Sequence, residues 1–119
     1  KITLSGRRLQ EVLEHALDRQ GRPTAHVSGV VVQYDPKRPP LKRIRQIELP
    51  GGKKLRSGDS YTLATDDFLS AGGEGYAMLV GLAVEPAGML DVDALALYLR
   101  RLPQPIVPPT GQGFVSTRP

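Results

Sequence analysis

ITLSGRRLQEVLEHALDRQG, residues 2–21, is the stretch on which the reading of the fold turns. Leu9, Val12, Leu13, Ala16 and Leu17 recur three and four residues apart, so on a helix they form one apolar stripe. Ser5 has the short oxygen-bearing side chain of an N-cap, Leu4 and Leu9 are spaced as a hydrophobic staple, and Gly21 supplies a stop. His15 lies off the stripe and reads as solvated. A helix that is apolar on one side must cover a sheet or another helix.

The segments that follow favour a sheet. In HVSGVVVQYD (26–35), Val30, Val32 and Tyr34 share one face of a strand, and Val31 and Gln33 the other. DPKRPPLK (35–42) cannot continue that strand, because its three prolines remove ladder donors. RIRQIEL (43–49) alternates again, with Ile44 and Ile47 out of strict phase, which predicts a bulge or burial on both faces. PGGKK (50–54) is a turn and SYTLATDD (60–67) a third strand; the spacing predicts consecutive antiparallel strands. AMLVGLAVEP (77–86) is apolar and open between strand and helix. DVDALALYLRRL (91–102) is a second helix, with Asp91 as N-cap, Leu95, Tyr98, Leu99 and Leu102 on its buried face, and Arg100 and Arg101 in its last turn.

The fold class is therefore α+β: a layered α/β/β/α-type domain with mainly antiparallel strands flanked by two helices. It occupies residues 1–103. Residues 104–119 form a Pro-rich extended tail, with a short strand at residues 113–116.

Composition narrows the function. The chain has 119 residues, enough for one core, no cysteine, and no apolar run long enough to span a bilayer. No secretion signal opens the segment. The net charge of +4 is spread over scattered basic pairs, and aromatics make up 5% of residues, so no basic–aromatic stripe for nucleic acid is present. Two histidines and mostly single carboxylates offer no converging metal ligands. No Walker loop occurs, and GGEGY does not fit G-x-G-x-x-G. We read this chain as non-catalytic.

The remaining signal is DDFLSAGGEGYAML (66–79). Gly72, Gly73 and Gly75 let the backbone turn tightly or approach something closely, and Tyr76 follows them. A ring on such a support can be displayed at a cleft, where stacking on a base contributes ~1–3 kcal/mol, or it can pack beneath the sheet. Asp67 and Glu74 read as loop-shaping residues that accept backbone N–H groups.

The ordered set LSGRRLQEVLEHAL, HVSGVVVQYDPKRPP, YTLATDDFLSAGGEGYAML and LALYLRR resembles the C-terminal domain of the 5'-nucleotidase family. The family pattern A-T-N-D-F-L-A-x-G-G-D-G-[YF] is matched by Ala64, Thr65, Asp67, Phe68, Leu69, Gly72, Gly73, Gly75 and Tyr76; Asp66 replaces Asn and Glu74 replaces Asp. The resemblance implies a substrate-specificity domain that binds the base and sugar of a nucleotide or nucleoside. It also implies an N-terminal metallophosphoesterase domain of the same parent chain, which carries a divalent metal pair, and a periplasmic or extracellular location. In the family this domain begins earlier, so the present chain resembles its latter two thirds.

By the same resemblance Tyr76 is one of two rings that sandwich the base, with Gly73 and Gly75 beneath it. The second ring's position is Thr24, a departure that removes one side of the sandwich. His26 falls where the family carries an amide able to bond the base edge. No acid for the ribose follows Tyr76 until Glu85. Two alternatives stay open: the same architecture with a cyclic-nucleotide or non-nucleotide substrate, or a structural or interaction domain whose pocket has decayed.

Overall fold

Ile2 and Leu4 are buried while Thr3 and Ser5 are exposed, the period-two signature of a strand, and they form β1 (Ile2–Ser5) rather than the approach to the helix. The computed structural model describes residues 1–107, 111 and 113–118. Ser5 caps α1 (Gly6–His15) as predicted, its hydroxyl accepting from Arg8 N at 3.2 Å. The helix stops at Ala16, five residues before Gly21. The reason is Asp18, whose Oδ1 accepts from both Gln20 N and Arg22 N at 2.9 Å and offers the backbone a turn in place of another helical one.

Two small sheets receive the apolar stripe of α1. β1 pairs antiparallel with β4 (Ser60–Leu63). β2 (Val31–Tyr34) pairs antiparallel with β3 (Ile44–Glu48) on one side and parallel with β5 (Gly113–Ser116) on the other. The out-of-phase isoleucines are explained by a register shift at Gln33/Tyr34, where Tyr34 pairs with Ile44 and Arg45 is left over. The shift brings both Ile44 and Ile47 inward. They join Ile2, Leu4, Leu9, Leu13, Val32 and Tyr34 in one core. Each of these side chains contributes ~1.5–3 kcal/mol through burial.

The strand predicted near the C-terminal end forms and is integral to the three-stranded sheet. Phe114 meets Tyr34 edge to face at 6.0 Å, Thr117 N donates to Tyr34 O, and Arg118 Nε donates to the buried Asp35 carboxylate.

Elsewhere the structure departs from expectation. SYTLATDD is a strand only to Leu63; Asp66 then caps the one-turn helix α2 (Asp67–Ser70). AMLVGLAVEP is neither strand nor long helix. It makes a single tight turn over Ala77–Leu79 and then runs irregularly, with Val84 bridging to Ile2. The second helix, α3 (Asp91–Arg101), has its acids in the first turn and its arginines in the last, as the helix dipole favours. Its cap is Leu90, however, and not Asp91. Its supposed buried face is open: Leu95 and Tyr98 are 55% and 60% exposed, and no residue of α3 is buried. Periodicity makes the helix legible, but no residue of that stripe is buried.

Glu14 joins α1 to β3. It is 5% exposed, and its two carboxylate oxygens accept Arg43 N at 3.2 Å and Ile44 N at 2.8 Å. The Arg43 guanidinium returns to the carbonyls of Asp18, Arg19 and Pro36 at 2.8–3.2 Å. A buried positive charge is thereby satisfied entirely by carbonyl oxygens.

The Glu14→Ala variant leaves two buried N–H groups without acceptors and should lose about 3 kcal/mol, read from the urea midpoint at unchanged slope. Arg118, by hydrogen bond and charge, holds the Asp35 carboxyl below the usual carboxylate range. That pair therefore stabilises the fold above about pH 4 and ceases to do so as pH falls further. Asp35→Asn should flatten the acid limb of a stability–pH curve; an unchanged acid limb would show the pair to be idle.

Candidate functional site

The glycine stretch is built on α1. After α2, Gly72 reverses the chain at φ 95°, a conformation that favours glycine. Gly73–Gly75 and then Ala77–Leu79 each make one tight turn. Gly75, at φ 77°, lies against the His15 ring, where an added Cβ would sit 3.1 Å from Cε1. The close approach demanded by the glycines is thus made to a side chain of the same fold.

His15 is the residue this loop closes upon. Its Nε2 lies 2.8 Å from the Glu74 carbonyl oxygen, and because a carbonyl only accepts, Nε2 carries the hydrogen. The imidazole also meets the Tyr76 ring, with centroids 4.4 Å apart and planes at 76°. Such edge-to-face pairs contribute ~0.5–1.5 kcal/mol beyond burial.

Tyr76 is therefore not displayed. It is 7% exposed and belongs to the core cluster with Leu13 and Leu79. Its hydroxyl makes no hydrogen bond within the described residues. Burial first, and the Glu74 carboxylate second, push the phenol pKa up.

The other expected residues are distributed around the same end of α1. Thr24 donates to the Ala16 carbonyl through both its N (2.8 Å) and its Oγ1 (2.9 Å), so it closes the helix at the residue next to His15. Thr24 and His26 are exposed. The backbone thus brings the Thr24 segment and the Tyr76 loop to adjacent residues of α1. Gly73 is held against Phe68, where an added Cβ would sit 2.6 Å from the ring.

Two loop-shaping assignments need correction. Asp66, not Asp67, receives the backbone N–H, from Leu69 at 2.8 Å. Glu74 acts through its carbonyl and a left-handed φ of 54°, not through its carboxylate. Sequence reasoning misses His15 because a position off the apolar stripe reads as solvated. The signal available is the glycine at residue 75, which has to face something bulky.

Among the described residues, clefts of roughly 240–640 Å³ open at four places on the surface, and none of these four is lined by Tyr76, Thr24, His26, Gly73 or Gly75. Among the described residues no three His, Cys, Asp or Glu side chains are placed to hold a metal ion, and no helix is long and apolar enough to cross a membrane.

Residues 1–81 match the family model described as 5'-nucleotidase, C-terminal domain. A snake venom 5'-nucleotidase of Naja atra is 30% identical over 112 residues, covering 85% of this chain and 21% of its own length. An apyrase of Anopheles gambiae is 35% identical over 107 residues, covering 84% of this chain and 19% of its own. The present chain therefore spans about a fifth of these relatives. The crystal structure of a 5'-nucleotidase precursor from Thermus thermophilus superposes with a TM-score of 0.84 at 23% identity, over 99% of this chain and 25% of that one. The mixed, mainly antiparallel fold is thus that of the corresponding part of a 5'-nucleotidase.

The buried phenol gives a test of the site's geometry. With a native pKa above the unfolded value near 10, Tyr76 stabilises the fold below that pH, and the contribution is lost as pH climbs through the native value. In an absorbance titration at alkaline pH, one of the four tyrosines should ionise last, and that step should vanish in Tyr76→Phe. Simultaneous ionisation of all four would refute the burial.

Proposed function

Because the chain belongs to the 5'-nucleotidase C-terminal domain family, we propose that it is the non-catalytic, substrate-holding part of a 5'-nucleotidase-like phosphohydrolase. In this reading it grips the base and sugar of a nucleotide, while a separate metallophosphoesterase domain of the parent chain hydrolyses the phosphoester on a divalent metal pair. The observation that carries the reading is the family match across residues 1–81, which includes the whole glycine loop. A periplasmic or extracellular location goes with it, in keeping with relatives that are venom proteins.

In this reading the base lies at the last turn of α1. Tyr76 and Thr24 attach to its neighbouring residues His15 and Ala16, so a flat ligand placed there meets both segments, with His26 two residues further on. Stacking on Tyr76 requires the ring to leave the His15 edge. The left-handed glycines at 72 and 75 are the hinges that allow this. A ligand that must first open the loop binds more weakly by the fraction of molecules already open.

A second reading is favoured by one observation, the burial of Tyr76 at 7% exposure: the pocket has lost its function and the domain serves structure or interaction. Titration of adenosine into the folded chain separates the two. Nucleoside holding predicts saturable movement of the Tyr76, His15 and His26 ring resonances together, with weak affinity in the millimolar range. Still resonances at all three rings would leave only the structural reading.

A further inference from the structure

Leu41 is exposed and held in a conformation that suits glycine. It is the third residue of a turn closed by Lys42 N to the Pro39 carbonyl at 3.1 Å, and its φ is 64°. A proline second and a left-handed residue third is the type II arrangement, in which glycine relieves the crowding of Cβ. A leucine there carries strain, and 69% of it faces solvent, so little packing offsets that strain. Burial does not explain this side chain; what it lines can.

Leu41 is one wall of an open trough of about 580 Å³ along the polar face of α1. Arg7 and Glu11 lie one helical turn apart on its floor. Glu14, on the Leu41 side, is tied to Arg43 and Ile44, two and three residues beyond Leu41. Met78 and His15 line it as well, and the Met78 carbonyl accepts from Arg8. Two apolar side chains therefore border a charged floor.

The floor has uncommitted hydrogen-bonding groups. Arg8 pairs with Glu11 at 3.6 Å, whereas Arg7 forms no ion pair among the described residues. Arg7 sits in the first turn, where the helix dipole disfavours positive charge and an anion would relieve it. Its backbone N–H donates to the Ser57 carbonyl, which brings the Ser57 hydroxyl to the same end of the trough. Gln10 lines the same trough, and its side-chain amide makes no hydrogen bond among the described residues. Glu11, within the same trough, opposes a second negative charge on the occupant.

From this placement we infer that the trough between Leu41 and Met78 is a binding site for a small organic monoanion. Its carboxylate lies on Arg7 and Ser57, and its aliphatic or flat apolar body lies between the two walls. The trough shares His15 with the Tyr76 loop, but its anion-holding groups, Arg7 and Ser57, lie away from that loop and do not rest on nucleoside binding.

Hexanoate is the probe, titrated into the methyl-labelled 119-residue chain alongside hexyl phosphate and hexylamine. The Leu41 and Met78 methyls and the Gln10 side-chain amide should move along one saturable curve with hexanoate, more weakly with hexyl phosphate, and not with hexylamine. Arg7→Gln should weaken hexanoate about tenfold, as loss of a charged hydrogen bond requires. Leu41→Gly should keep or raise the thermal midpoint while abolishing the response. Absence of saturation with hexanoate, an equal response to hexylamine, or unchanged binding in Leu41→Gly would each overturn the assignment.

Discussion

The carboxylate of Glu14 is the constraint on which the arrangement depends. A helix and a strand have no ladder to align them, and apolar contact alone leaves their relative position adjustable. Here two backbone N–H groups at the start of β3 point at one buried carboxylate on α1, while the Arg43 guanidinium reaches back to the carbonyls just past that helix. The two contacts run in opposite directions between the same two segments, so sliding in either direction breaks one of them. Charged partners make each bond stronger than a neutral one, and burial makes each costly to lose. The residues next in line, His15 and Ala16, inherit that fixed position and hold the glycine loop and the Thr24 segment.

Much of this is legible from periodicity and turn chemistry. The stripe from Leu9 to Leu17, the Ser5 cap, the strands at β2 and β3 and the bulge between them follow from local rules, because each depends on neighbours in sequence. Legibility ends where distant residues decide. β1 reads as helix approach because four alternating residues are too short a pattern to stand apart from the helix that follows, until β4 lies beside them. The stripe on α3 is a true stripe, but no local rule says whether a stripe is covered. The site suffers most. Glycines announce close approach without saying to what, and the partner is His15, some sixty residues earlier in the chain, outside any pattern that links the two.

The glycine loop unites the family's motif with the departures of this chain. Its ring turns inward onto an imidazole that is itself tethered to the loop's carbonyl at Glu74. One histidine thus holds both the loop and the aromatic it carries. Such a closure is cooperative: releasing the ring frees the carbonyl's partner to reorient, and breaking the hydrogen bond loosens the ring's support. Thr24 takes no part in that closure, being occupied with the end of the helix.

The parallel placement of β5 has a consequence for how the molecule is made. β2 is the middle strand of its sheet, but one of its two neighbours is synthesised some eighty residues after it, as is the arginine that neutralises Asp35. A nascent chain emerging from the ribosome therefore carries β2 with one flank bare until some eighty further residues have been made, and local pairing cannot cover it. Closure of this sheet is a late, long-range event, slow by the logic of loop entropy. During that interval the bare strand is a template for neighbouring nascent chains, which makes chaperone protection of the unfinished polypeptide a matter of timing as much as of stability.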